Sequence, residues 1–281
     1  MTVSRIPKII YQTWETRDLD PKMHAAMQSW IDLNPEYRHE LFDAGDRRAF
    51  VKAHFPARVL NAYDRLVPGT YQADFWRFCI LHVTGGINVD IDCVCMLPIS
   101  TAIAPTDEFV SGKAPSHPFA IWVGFVASRP GHPFLKASLE QVIRNIETDY
   151  YGRSGVWPTG PVAAGFAVNR YGNCRIRRPY ALGWNERGGQ TFKLLSFERA
   201  TKEVRNEAGD VVMLTKYDGY LAYRRKAVVP YSQSWLEGAI YHYDKPSRLR
   251  RMRHLLRLVS TVQGRRYLRK RAVARWRRFA G

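Results

Sequence analysis

Residues 73–92 read Ala73-Asp74-Phe75-Trp76-Arg77-Phe78-Cys79-Ile80-Leu81, then His82-Val83-Thr84-Gly85-Gly86, then Ile87-Asn88-Val89-Asp90-Ile91-Asp92. The first run belongs to a helical stretch, Thr70 to Val83, that is apolar almost all round, the pattern of a buried helix. Its two charges, Asp74 and Arg77, stand three apart and share a face. Thr84-Gly85-Gly86 ends the helix, and Ile87 to Val94 reads as a strand apolar on both faces, hence a central one. Residues two apart on a strand point the same way, so Asp90 and Asp92 are expected side by side. Like charges in a buried place are costly unless a cation holds them. Hard oxygen ligands at the carboxyl end of a strand suit Mg²⁺ or Mn²⁺, and that edge is where open α/β sheets place ligands. The plainer readings are a polar strand face in solvent and an i,i+3 ion pair on a solvated helix.

Upstream, Ile6 to Trp14 is β-branched and aromatic and reads as a first buried strand. Asp20-Pro21 opens a helix with Met23, Met27, Trp30 and Ile31 at helical spacing, and Asn34-Pro35 stops it. Tyr37 to Phe42 is a second strand, followed by helices over Ala44 to Phe55 and Pro56 to Leu66. Strands and helices alternating in this order predict an α/β fold with an open sheet. Downstream, a strand is expected over Phe119 to Ala127 and a helix over Pro133 to Thr148. Thr159-Gly160-Pro161 is a turn before a short helix, and residues 190–245 mix short strands with loops. No internal repeat is visible, and no G-x-G-x-x-G or Walker pattern occurs, so Gly85-Gly86 is a helix stop rather than a phosphate loop.

The chain has 281 residues, 46% hydrophobic and 24% charged, which excludes wholesale disorder. Its formal charge of +18 comes from 43 basic and 25 acidic residues. Residues 245–281 hold 14 Lys or Arg and no Asp or Glu, which leaves 29 basic against 25 acidic, about +4, over the rest. The expected division is a catalytic body over 1–246 and a basic amphipathic helical extension over 247–281. That extension alternates Arg with Leu, Val, Tyr, Trp276 and Phe279, which suits an anionic membrane surface. Nucleic acid is the rival partner, but the near-neutral body carries no nucleic-acid motif. No apolar run reaches the ~20 residues of a membrane span. The N-terminal residues lack a leader's apolar stretch. Cys79, Cys93, Cys95 and Cys174 show no zinc spacing, and Cys93 and Cys95 would share one strand face. Reduced thiols in a cytoplasmic protein, peripheral at the inner face of the cell membrane, are therefore expected.

The helix–Gly-Gly–strand run resembles the "sugar-binding region containing DXD" of family 32 glycosyltransferases. That family includes fungal α-mannosyltransferases and bacterial capsular polysaccharide and lipopolysaccharide transferases. Ile6-Pro7-Lys8-Ile9-Ile10-Tyr11-Gln12-Thr13-Trp14 is similar to the family's opening strand, with Tyr11 in place of its usual His. Thinner likenesses are Pro130-Gly131-His132-Pro133, Thr159-Gly160-Pro161 and Ala239-Ile240-Tyr241-His242-Tyr243, the last followed by Pro246-Ser247 where the family has Ser-Trp. The resemblance implies a GT-A-type open mixed sheet flanked by helices. It implies a UDP- or GDP-linked sugar donor, a glycan or lipid-linked acceptor, a divalent cation and retention at the anomeric carbon. Asp92 would be the direct metal ligand, with Asp90 and His242 as further metal contacts and Asp90 also near the ribose. Asp74 and Arg77 would bind donor sugar hydroxyls, Arg77 being counted with the two Asp residues as catalytic. Trp14 would pack against the base, with Gln12 beside it in the donor site. No carboxylate nucleophile stands out, which favours same-face internal return over a covalent intermediate. A rival from another reaction class is the D-x-D-x-[T/V] pattern of haloacid-dehalogenase-like phosphatases, which Asp90, Asp92 and Val94 also fit, with Asp90 as nucleophile. That rival leaves Asp74 and Arg77 unexplained.

Overall fold

The computed structural model describes residues 4–243 and 248–279. Strand β1 (Ile9–Thr13) leads to helix α1 (Pro21–Leu33), whose Asp20 cap accepts the Lys22 backbone N–H and whose first residue is proline. Next come β2 (Arg38–Phe42), α2 (Ala44–His54), α3 (Ala57–Asp64) and the long α4 (Gly69–Thr84). A reciprocal capping box between Asp43 and Asp46 starts α2. Strands β3 (Gly86–Val89), β4 (Cys93–Cys95), β5 (Phe109–Lys113) and β6 (Ile121–Ser128) follow, then α5 (Pro133–Glu147) and α6 (Pro161–Tyr171). The chain continues through β7 (Gly183–Arg187), β8 (Gln190–Glu198), β9 (Glu203–Arg205) and β10 (Val211–Thr215). It closes with α7 (Tyr220–Ala227), α8 (Tyr231–Glu237), α9 (Arg248–Ser260) and α10 (Val262–Phe279).

The strands form one mixed sheet in the order β2-β1-β3-β6-β5-β8-β9-β10-β4, with β7 paired to β8. β1 lies between β2 and β3 and is parallel to both, while β6 is antiparallel to β3. The open mixed sheet flanked by helices implied by the resemblance is what the chain forms. Its β2-β1-β3 end is a topological switch point, which leaves a crevice beyond the carboxyl ends of β1 and β3. Trp14 follows one of those ends and Asp90 the other.

One expectation is corrected here. Ile87 to Val94 is not one strand. Pairing of β3 with β6 ends at Val89–Phe125, and β4 pairs instead with β10 at the far end of the sheet order. The chain passes from one to the other through a turn in which the Cys93 N–H donates to the Asp90 carbonyl at 3.0 Å. Asp90 and Asp92 therefore sit on a turn joining two distant positions in the sheet order, not on one face of a strand. Cys93 and Cys95 do share β4, and both are buried free thiols.

The main core lies between the sheet and α2 to α6, and α4 runs through it with Phe75, Trp76, Cys79 and Leu81 fully buried. A second cluster fills the other side around Ile10, Trp30, Ile87 and Phe125. The basic extension forms two helices, as the sequence implies, and it docks. Leu258 of α9 is 2% exposed and belongs to the same core as α4, with Tyr267 and Leu268 of α10 packed against that core. Trp276 and Phe279 fall where no side chain is described. Among the described residues no helix is long and apolar enough to cross a membrane.

Candidate active site

Helix α4 brings two charges to the D-x-D turn. Arg77 is 3% exposed, and its guanidinium reaches Asp90 Oδ1 at 2.8 Å and Asp74 Oδ1 at 3.4 Å. It also donates to the Val123 carbonyl on β6. A buried guanidinium needs this many partners to offset its desolvation. Arg77 thus fastens α4, the turn and β6 together, and all its described contacts are internal. Asp74 is 8% exposed and accepts the Thr159 hydroxyl at 2.9 Å, which ties α4 to the turn before α6. Burial raises the Asp74 carboxyl to about 6, with Arg77 pulling it down and Asp90 pushing it up.

The two acids of the turn differ. The Asp90 side chain is 39% exposed, whereas Asp92 as a residue is 7% exposed. The Asp90 backbone is held on both sides, its N–H donating to the Gly124 carbonyl at 2.8 Å and its carbonyl receiving Cys93. Gly124 interrupts an otherwise bulky strand for a steric reason. A Cβ there would lie 2.7 Å from Asp90 Oδ2 and 2.4 Å from the Trp122 ring. The Asp92 carbonyl accepts the Tyr217 N–H at 3.0 Å, which pins the turn to the segment after β10.

Trp14 and Gln12 lie where the sequence implies, at the end of β1. Gln12 is fully buried; its amide Nε2 approaches the Asp90 carbonyl at 3.5 Å, and its Oε1 lies 2.8 Å from His39 Nε2. Burial lowers His39 to about 4, so at neutral pH its ring is uncharged and can donate one N–H to Gln12. Trp14 is half-buried beside Tyr223, ring centroids 6.3 Å apart, against a cluster of Met23, Ile91, Tyr217 and Tyr220. This aromatic cluster adjoins the turn through Ile91.

The structure therefore brings together Gln12, Trp14, Asp74, Arg77, Asp90 and Asp92, and it does not gather His242 with them. His242 is exposed, and its backbone N–H donates to the Arg65 carbonyl at 2.8 Å. Among the described residues no three His, Cys, Asp or Glu side chains come together as a metal-binding group. The carboxylates still fit a divalent cation by charge. Arg77 pairs with two carboxylates, Asp74 and Asp90, so the group around it carries more negative than positive charge. Asp90 Oδ1 is committed to Arg77, which leaves Asp90 Oδ2 toward such an ion, while the Cys93 thiol lies 3.8 Å from Asp92 Oδ1.

Several contributors escaped the sequence reading. His39, Gly124 and Tyr217 act through contacts far along the chain, and Thr159, though quoted in its turn, gave no sign of its bond to Asp74. Lys216, in the left-handed region at φ 79°, immediately precedes Tyr217. Only Gly124 had a visible signal, an isolated glycine inside a strand, which marks a close approach.

Residues 20–110 match the family model described as the glycosyltransferase sugar-binding region containing a DXD motif. The chain is 33% identical over 141 residues to inositol phosphoceramide mannosyltransferase 3 of Schizosaccharomyces pombe, covering 50% of this chain and 37% of that protein. It is 28% identical over 137 residues to a mannosyl phosphorylinositol ceramide synthase of Saccharomyces cerevisiae, covering 49% and 35% respectively. The chain thus spans little more than a third of the length of these two relatives. Among solved structures, the PaToxG glycosyltransferase superposes with a TM-score of 0.45 at 15% identity, over 59% of this chain and 69% of that one.

Proposed function

We propose that this protein transfers mannose from a nucleotide-diphosphate donor, GDP-mannose in the first instance, to a hydroxyl of a glycan or lipid-linked acceptor. The observation that carries the reading is the Arg77 bracket, which holds the D-x-D turn at the switch-point crevice beside an aromatic cluster. The base stacks on Trp14, and Gln12, set by His39, lies at the ribose end. Asp90 and Asp92 would hold a divalent cation, which would supply charge compensation for the leaving diphosphate. Arg77 holds and aims the Asp90 carboxylate. Asp74, oriented by Thr159, faces the donor sugar and accepts hydrogen bonds from its hydroxyls. Among the described residues the carboxylates at the turn are Asp74, Asp90 and Asp92, and in this reading the acceptor hydroxyl attacks on the face the diphosphate leaves, with retention. The mannosyltransferase names of the relatives support the choice of sugar.

The phosphatase reading gains nothing from this geometry. A nucleophilic Asp90 would have one oxygen tied to a guanidinium at 2.8 Å, which holds that oxygen away from an attack. The test is turnover of a panel of GDP- and UDP-sugars with Mn²⁺, with and without EDTA. Donor cleavage that EDTA stops, Mn²⁺ restores and Asp92→Asn lowers by about a thousandfold is expected. Cleavage of a phosphomonoester with no turnover of any nucleotide sugar would overturn the proposal.

A further inference from the structure

We infer that the outward face of α9 is a docking surface for an anionic lipid membrane. This inference uses none of the residues of the sugar-transfer reading and stands or falls separately from it.

Two faces of α9 carry opposite assignments. His254, Arg257 and Leu258, at i, i+3 and i+4, share the inward face. His254 Nε2 lies 2.9 Å from the Leu236 carbonyl, Arg257 stacks 3.8 Å over the Tyr151 ring, and Leu258 is buried. Met252, Leu255, Leu256 and Val259, at i, i+3, i+4 and i+7, share the opposite face and are 49–67% exposed. Val262 at the start of α10 extends the patch at 58% exposed. A soluble helix docked through one side normally turns polar residues outward, so a continuous apolar stripe there is a surface built to be covered.

Charge selects what covers it. Residues 245–281 contain 14 Lys or Arg and no acid. Among those whose side chains are described, Arg253, Arg265, Arg266, Arg269, Lys270 and Arg271 are exposed. A second copy of this chain would bring two such cationic segments face to face, which opposes self-association through the stripe. An anionic bilayer answers both features. The leucines and Met252 enter the acyl boundary while the guanidinium groups meet the headgroups. The inward contacts fix α9 to the body, so binding would hold the whole domain at the surface in one orientation. Anchoring of this kind is reversible, because screened charges and one short apolar stripe supply it.

Flotation of the full chain with vesicles of phosphatidylcholine alone, and with one part in four phosphatidylglycerol, tests the inference. Binding to the anionic vesicles at least about tenfold tighter than to the neutral ones, and weakened by molar salt, is expected. Leu255→Glu/Leu256→Glu places charges at already exposed positions, so its melting temperature and circular dichroism should match the parent. Its anionic-vesicle binding should fall by about tenfold or more. Equal binding to both vesicles, binding to neither, or an unchanged double variant would overturn the inference. So would a sedimenting dimer that the double variant dissolves, which would make the stripe an interface between copies. Failure here leaves donor turnover untouched, and failure of donor turnover leaves vesicle binding untouched.

Discussion

Helices α4 and α9 solve opposite problems with similar residue types. α4 carries Asp74 and Arg77 into a casing of Phe75, Trp76, Phe78 and Ile80, where the pair survives because Asp90, Thr159 and the Val123 carbonyl satisfy it. α9 also turns charge inward, setting Arg257 on the Tyr151 ring, but leaves Leu255 and Leu256 outside. In α4 the ionic group holds three elements around the D-x-D turn. In α9 the ionic group docks a helix whose other face remains uncovered. A buried charge therefore does not by itself mark catalysis; the number and origin of its partners distinguishes the two.

The largest effect should follow from removing the α4 bracket. Arg77→Met keeps length and apolar character but leaves Asp74 and Asp90 without a counter-charge. Loss of one partner from a buried pair costs about 3–5 kcal/mol, and urea denaturation should register a loss of that size. Asp74→Asn removes the raised carboxyl yet keeps an acceptor for Thr159, so stability should hold or rise slightly while donor turnover falls. If the Asp74 variant melts early and its folded fraction turns over normally, the pair is scaffold only, and the contrast with α9 collapses.

How much of this contrast the sequence showed depends on the distance of the partners. The capping and stop signals were local, which is why α1, α4 and α5 appear within one or two residues of where Asp20-Pro21, Gly85 and Pro133 place them, and α2 matches the run from Ala44 to Phe55. The i,i+3 spacing of Asp74 and Arg77, and the D-x-D beside it, were local too. The turn at Asp90–Asp92 was not, because an apolar run of eight residues cannot tell one strand from two that pair with different neighbours. Its reality depends on β10, more than a hundred residues later. Strand β5 was missed for the same reason: Phe109–Lys113 is short and earns its place by pairing with β6 and β8. The inward face of α9 is equally invisible without Tyr151 and Leu236.

A smaller effect should separate the two faces of α9. Leu258→Ala empties a fully packed position and should cost about 2–4 kcal/mol, since cavity and transfer contributions add. Leu256→Ala, 67% exposed, should stay within about 0.5 kcal/mol in the absence of lipid. Similar losses at both positions would mean that the stripe is covered within the protein, and the reading of α9 as two-faced would fail.

The smallest expected effect concerns how firmly α9 is docked as pH changes. Burial lowers the pKa of His254 below its usual value, Arg257 lowers it further, and the bond to the Leu236 carbonyl works the other way. That carbonyl is an acceptor, so the neutral ring must carry its proton on Nε2, and a second proton on Nδ1 would face Arg257, 3.5 Å away. Between the lowered folded pKa and the ordinary value near 6.5 the unfolded or undocked chain binds more protons than the docked one. The stabilisation is therefore present above about 6.5 and is lost as pH falls through the folded value. Protection factors across α9, taken relative to the intrinsic amide exchange rate at each pH, should fall on acidification from neutral pH, while those of α4 hold. His254→Gln, which retains a donor for Leu236 without a titrating ring, should flatten that dependence. An α9 that loosens as much in the glutamine variant would show that other groups govern its docking, with Asp149 and Tyr243 beside Arg257 the next to examine.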